Sequence, residues 1–377
     1  MWLPIYQFPR INRKRLIVLA IYVLILIVVV GGRGWFLARL IDGRYTLSSF
    51  LFDATALGLI IILLHLFNYG VKSIARQVFR PTTTLRKLIA HIVHAVIVII
   101  VAGPFIVTTL QIHPQRIVCN SNPQDIGLEN YMEVTFYSDG LRLSGWFIPA
   151  LHKEKPIVLI AHGLGANKDN FLFPALMVHE LGYNVFIFDF RAHGNSGGHL
   201  TTFGIKEARD VKAAYDWIVK AYPSCPVYAL AYSAGGAAVI KAAAEYGIFS
   251  KIVLDSTFSR LENVARATTL KRLGPLATPV WQLGRFWGWF WTGVDIDDDR
   301  PEKHMALLTN RPVMIIHGTK DTVIPYTESL HLYEATNYRA QLWLVENMQH
   351  VQSMNHPDYK TRLHNFFFGT GDTGSGY

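Results

Sequence analysis

Residues 227–236 read Val-Tyr-Ala-Leu-Ala-Tyr-Ser-Ala-Gly-Gly. The first six are apolar or aromatic throughout, as a strand covered on both faces requires. They give way without a spacer to Ser233 and then to Ala234, Gly235, Gly236, Ala237 and Ala238, a small-residue helix start. Strand, serine and helix in direct succession form a strained turn that holds the serine out at the carboxyl end of its strand. Close packing of strand against helix demands small residues on either side, here Ala231 and Gly235. An A-x-S-x-G run alone is common in loops. The strand–turn–helix context makes Ser233 a candidate nucleophile.

A serine hydroxyl needs a base, and the base needs an acid to orient it. Both appear later in the chain, each just after an apolar run. Pro312–Ile316 leads into His317-Gly318-Thr319-Lys320-Asp321, and Gln341–Val345 leads into Glu346-Asn347-Met348-Gln349-His350. Asp321 and His350 are thereby expected on the same sheet edge as Ser233, where open α/β sheets build their sites. Two backbone N–H groups are needed for the oxyanion. One is Ala234, which follows the nucleophile; the other is Leu164, in the loop His162-Gly163-Leu164-Gly165 after the run Ile157–Ala161. His162 reads as a loop-shaping residue. Asp255 also ends an apolar run and is the lesser candidate for the acid.

Working outward, runs with strand character recur at Met132–Tyr137, Leu141–Ile148, Asn184–Asp189 and Lys251–Asp255, with helical patterns between them. In 205–222, Ile205, Ala208, Val211, Tyr215, Ile218 and Tyr222 recur at steps of three or four and line one helical face. The alternation predicts an α/β fold with a mostly parallel sheet and helices on both faces. Ser138-Asp139-Gly140 predicts a hairpin and an antiparallel start.

These residues together resemble the α/β-hydrolase family, over about residues 117–368. The resemblance rests on His162-Gly163, the loop Asp189-Phe190-Arg191-Ala192-His193-Gly194-Asn195-Ser196-Gly197-Gly198, Ser233, His317-Gly318 with Asp321 and Pro325, and His350. It is nearest to the branch of serine aminopeptidase-like, monoacylglycerol-lipase-like and membrane-tethered bacterial hydrolases. Ala231, Ala192 and Gln349 stand where the family often has Gly. The resemblance implies that the long segment 256–311 is a small cap. That segment carries Trp281, Phe286, Trp287, Trp289, Phe290 and Trp291, expected either to meet lipid or to pack the cap down. The acidic run Asp295, Asp297, Asp298 and Asp299 reads as a solvated turn or helix start, and Asp189 and Arg191 as loop braces. His193, His199, His317, His356 and His364 read as surface or loop histidines. None of these groups has metal-ligand spacing, so neither metal nor cofactor is expected. Cys119 and Cys225 are the only cysteines, and a disulfide between them is left open.

The first third of the chain differs in kind. The protein has 377 residues, 51% of them hydrophobic and 17% charged, against about 25% charged in soluble domains. Its net charge of +9 divides unevenly: 1–115 holds 12 Lys/Arg and 2 Asp/Glu, and the remainder 24 and 25. The excess charge therefore flanks apolar stretches, which excludes a basic groove for nucleic acid. Three membrane helices are expected at about 16–35, 49–69 and 88–110, the first of them retained rather than cleaved as a signal peptide. Arg10, Arg13, Lys14 and Arg15 precede the first span, and Lys72, Arg76, Arg80, Arg86 and Lys87 follow the second. The positive-inside rule puts both segments in the cytoplasm. Within the stretches, Asp53, His65, His91 and His94 read as packing or interfacial residues. The expected organisation is a membrane anchor at 1–115, an extracytoplasmic (periplasmic) hydrolase domain at 116–369 with its cap at about 256–311, and a flexible tail at 370–377. The expected activity is cleavage of a small acyl ester or amphiphilic substrate beside a lipid bilayer. A serine peptidase using the same triad and a catalytically silent scaffold are the alternatives.

Overall fold

The structure, a computed structural model, describes residue 69 and residues 103–151, 154–271, 273–297 and 300–369. The spans expected at 16–35, 49–69 (Tyr69 aside) and 88–102 lie outside the described residues. So do Asp53, His65, His91, His94, Asp298, Asp299 and the tail. Among the described residues no helix is long and apolar enough to cross a membrane. The chain divides into two compact units, Met1–Gly70 and Val71–Tyr377, and every element named below belongs to the second.

Eight strands form one sheet: β1 (Met132–Ser138), β2 (Leu141–Ile148), β3 (Ile157–Ala161), β4 (Asn184–Phe188), β5 (Val227–Tyr232), β6 (Lys251–Asp255), β7 (Val313–Gly318) and β8 (Gln341–Val345). Their order is β1-β2-β4-β3-β5-β6-β7-β8. The hairpin β1–β2 is antiparallel, β2 meets β4 antiparallel, and all later pairings are parallel. The helices are α1 (103–112), α2 (Leu172–Glu180), α3 (Glu207–Ala221), α4 (Ala234–Tyr246), α5 (Leu261–Ala267), α6 (Ala277–Thr292), α7 (Pro301–Met305), α8 (Thr327–Ala335) and α9 (Tyr359–Phe368).

The continuous apolar runs are explained by two cores, one on each face of the sheet. Successive strand side chains point to opposite faces. In β4, Phe186 and Phe188 join one core, with Ala208, Val211 and Ile218 of α3 and Val239 of α4. Val185 and Ile187 join the other, with Ala175 and Val178 of α2 and Leu363 and Phe367 of α9. A strand that feeds both cores is buried at every position, so in β4 the one polar residue, Asn184 at its start, is bonded to Ala150 N and Lys155 O, whereas edge strand β1 alternates exposed and buried residues. Each fully buried large apolar side chain contributes about 1.5–3 kcal/mol of transfer free energy.

Helix α3 starts later than its apolar spacing suggests. Glu207 is buried, and its carboxylate accepts from Thr201 Oγ1, Thr202 N, Thr202 Oγ1 and Gly204 N. These bonds fix the turn ahead of the helix and leave Ile205 outside it. The segment between β6 and β7 forms α5, α6 and α7. The aromatic side chains of α6 divide between two environments. Trp281 is buried. Trp287 meets the Phe105 ring edge-on at 4.6 Å, and Trp291 donates from Nε1 to Thr109 Oγ1 at 3.0 Å. Phe286, Trp289 and Phe290 stay about half exposed. The rings that pack the cap therefore pack it against α1 as well as against the domain.

Of the acidic run just ahead of α7, Asp297 departs from the solvated position expected. Asp297 is buried and receives the Arg260 guanidinium at 3.3 and 2.9 Å, with Arg285 and Arg300 also within 4 Å. No disulfide joins Cys119 and Cys225.

Candidate active site

Ser233 sits between β5 and α4 with φ 53° and ψ −125°, a conformation that side-chain-bearing residues adopt only under constraint. The constraint is close packing. A Cβ at Gly235 would collide with the carbonyls of Ala161 and His162, and one at Gly236 with the Thr257 side chain. Ala231 is fully buried in the sheet and tolerates its methyl. The elbow therefore requires glycine at 235 and 236 and not at 231.

The three groups picked out from the chain converge. His350 Nε2 lies 3.1 Å from Ser233 Oγ, and His350 Nδ1 lies 2.7 Å from Asp321 Oδ2. Asp321 Oδ1 accepts from Val323 N and Ile324 N, both at 2.8 Å. A fourth donor was missed by the reading of the chain. His317, expected on the surface or in a loop, lies inside β7 and is fully buried, and its Nε2 lies 2.9 Å from Ile324 O and 3.2 Å from Asp321 Oδ2. A carbonyl only accepts, so this nitrogen carries the proton and Nδ1 accepts from Ser329 Oγ at 2.6 Å. Hydrogen bonds from both histidines hold the Asp321 carboxyl well below the usual carboxylate range, against the opposing effect of its burial. The acid thus stays ionised, and with both lone-pair sites of Oδ2 engaged it fixes the tautomer of His350. Glycine again permits the approach, since a Cβ at Gly318 would strike the Met348 carbonyl in the loop that carries His350.

The loop 162–165 abuts the elbow: a Cβ at Gly163 would lie 3.0 Å from the Ser233 Cβ. Two buried histidines shape it. His162 Nε2 accepts from Phe190 N at 3.1 Å, so Nδ1 is protonated and donates to Gly163 O at 2.7 Å. Burial, with His193 nearby, pushes its pKa down to about 3. A neutral ring with both nitrogens engaged cannot serve as the base. His193, a loop histidine as expected, is buried and accepts from Gly165 N at 3.0 Å through Nε2. Ala234 is the first residue of α4, so its N–H has no acceptor inside the helix. Leu164 lies between the two pinned residues of the loop.

Beneath this loop, Asp189 accepts from Lys168 N at 2.7 Å and Asn195 N at 2.9 Å and pairs with Lys168 Nζ at 2.6 Å. Arg191 forms a two-point pair with Asp210. Both are braces, as expected. Ala192 adopts φ 64°, the left-handed region that favours glycine.

Asp255 ends β6 and does not touch His350. It accepts from Ser256 Oγ at 2.9 Å and Tyr359 Oη at 3.1 Å, and Tyr359 meets Tyr232 Oη at 3.2 Å. Ser256 Oγ in turn accepts from Val351 N at 3.1 Å, which steadies the loop of the candidate base. Burial pushes the Asp255 carboxyl up to about 6. An acid whose pKa is higher folded than unfolded holds its proton longer in the native state. Its contribution is therefore greatest below about pH 4 and is lost as the pH rises through about 6, by roughly 2–3 kcal/mol. Asp255→Asn keeps a neutral acceptor for Ser256. It is expected to melt higher than the wild type near pH 8, with the difference shrinking toward about pH 4. Thermal melts across that range decide it, and a difference that does not change with pH would show that Asp255 does not titrate there.

Comparison with known proteins agrees with the topology. The alpha/beta hydrolase fold family matches residues 156–290. The chain is 28% identical over 241 residues to the uncharacterized protein YfhR of Escherichia coli O157:H7, covering 60% of this chain and 77% of that protein. It is 25% identical over 200 residues to the lysophosphatidylserine lipase ABHD12 of Rattus norvegicus, covering 50% of this chain and 47% of the lipase. Among solved structures, the esterase Pf2001 of Pyrococcus furiosus aligns with a TM-score of 0.55 and 26% identity, covering 68% of this chain and 98% of the esterase.

Proposed function

We propose that this α/β-hydrolase is a membrane-anchored serine hydrolase that cleaves carboxylic esters through an acyl-enzyme. The observation that carries the reading is the continuous relay Ser233–His350–Asp321, with heavy-atom separations of 3.1 and 2.7 Å. Ser233 Oγ attacks the ester carbonyl while His350 Nε2 takes its proton. The imidazolium formed is stabilised by ionised Asp321 and returns the proton to the departing alkoxide. The N–H groups of Leu164 and Ala234 receive the oxyanion. Water, activated by the same histidine, then releases the acid and restores the serine.

An apolar surround supports an acyl substrate. Ala234 packs in one cluster with Ala237, Phe258, Ile324, Phe203, Leu261 and Val264. Phe203 and Leu261 continue into the cap cluster around Trp281 and Ile296. That lining suits an acyl chain better than a charged amino terminus. The similar proteins ABHD12, a lysophosphatidylserine lipase, and Pf2001, an esterase, point the same way.

The test is a panel of acyl esters and aminoacyl amides offered to the detergent-purified protein. Ester turnover exceeding amide turnover by about tenfold or more is expected. Preference for the amides would make the protein a peptidase, and turnover of neither would leave a silent scaffold.

The anchor is the trio of apolar stretches before residue 111, with the catalytic unit outside the cytoplasm because the two most basic segments lie on the other side. A reporter that functions only outside the cytoplasm, fused after Tyr377, is expected to be active. Activity of a cytoplasm-only reporter in its place would reverse the orientation.

A further inference from the structure

We propose that α6 lies in the membrane–water interface, with Phe286, Trp289 and Phe290 seated among lipid headgroups and upper acyl chains. The inference rests on the anchor reading of the third apolar stretch and deepens it.

The stretch 88–110 runs directly into α1, whose described residues begin at 103. A helix rises 1.5 Å per residue, so residues 88–102 cover only about 22 Å of a hydrocarbon core about 30 Å thick. A span built from this stretch has to use part of α1 as well. α1, however, is not free to enter lipid alone. Phe105 and Thr108 are buried against α6, through the Phe105–Trp287 ring contact at 4.6 Å and the bond from Thr108 Oγ1 to Gly284 O at 3.3 Å. Trp291 is bonded to Thr109 one turn further on. Whatever depth α1 reaches, α6 reaches with it.

The surface of α6 fits that position. Its exposed residues are Thr278, Pro279, Gln282, Phe286, Trp289 and Phe290, with no charge among them. From Leu273 to Gly293 the single charged residue is Arg285, which is paired with Asp295 through Nε–Oδ1 at 2.9 Å. Leu273 and Leu276 ahead of α6, and Val107 and Leu110 on α1, are exposed as well. Aromatic rings with an apolar body and an uncharged surround are the composition favoured at the bilayer interface. On a face turned to water the same patch would carry a large solvation cost. Trp287 and Trp291, the inward rings, hold α6 to α1, and the outward three make the lipid contact.

Depth-resolved quenching tests this on the full chain in nanodiscs of phosphatidylcholine and phosphatidylglycerol. Cys119→Ser and Cys225→Ser remove the native thiols. Single cysteines then replace Trp289, Tyr338 and Val98 in turn, each labelled with a small fluorophore, and short-ester turnover confirms that each labelled protein is folded. Tyr338 is 63% exposed and precedes β8, at the sheet edge opposite Ser233. Val98 marks the anchor. A label at 289 is expected to be quenched at least about twofold more by shallow nitroxide lipid than one at 338, and about twofold less by iodide. Quenching at 98 by deep nitroxide lipid with none at 289 would overturn the inference and leave the anchor intact. Quenching at neither would remove the anchor reading and the inference together. A label at 289 shielded from both lipid nitroxide and iodide would mean that protein covers this face, which also overturns it.

Discussion

Ser233→Ala is expected to lower turnover of a short-chain ester by about 10⁵-fold or more and to abolish labelling by a fluorophosphonate. The size follows from how the relay is built. With the hydroxyl gone, His350 Nε2 has no proton to take and no covalent intermediate forms. Members of such a relay fail together rather than in proportion. What remains is binding and any oxyanion stabilisation acting on a water molecule. The substitution removes a single oxygen at a position already held by the elbow, so the fold is expected to persist, with an unchanged circular dichroism spectrum. Equal labelling of the wild type and the variant would end the assignment of Ser233 as nucleophile.

The second large effect is expected at Asp321→Asn, a loss of about 10⁴-fold in kcat with little change in KM. The Asp321 carboxylate receives four donors: two backbone N–H groups on Oδ1, and His350 and His317 on Oδ2. An amide must present its NH₂ to one of these pairs. If it faces the histidines, His350 Nδ1 can only accept, its proton moves to Nε2, and the lone pair that should take the Ser233 proton is gone. If it faces the loop instead, it meets the N–H groups of Val323 and Ile324. Neither outcome alters the surface that meets substrate, which is why the effect belongs in kcat. A loss below about tenfold would mean that another carboxylate orients His350.

Much of this site was legible in the chain because its chemistry is tied to strand ends. Ser233, Asp321 and His350 each follow an apolar run within a few residues, and parallel strands bring such positions to one edge whatever the loops do. The alternation of cores was legible in kind, since uninterrupted runs such as Val-Phe-Ile-Phe at 185–188 make sense only when covered twice. What escaped were burials that depend on a partner distant in sequence. His317 comes after the apolar run in sequence as a loop histidine would, yet it lies within β7, and the return of residues 321–329 encloses it. Asp297 reads as part of a solvated acidic run because its arginine at 260 lies 37 residues away. The aromatic density of α6 announced lipid contact or packing without dividing the rings between them or naming α1 as a packing partner, since composition carries no address.

The order of the relay along the chain has a consequence in time. Ser233 follows the fifth strand and His350 the eighth, 117 positions later. A chain synthesised from its amino terminus at about 5–20 residues per second presents the elbow many seconds before its base exists. The histidine reaches the serine only after β8 has paired with β7 at the sheet's last edge. On the proposed relay, the serine therefore lacks its base until the carboxyl-terminal part of the chain, β8 included, has been delivered and folded.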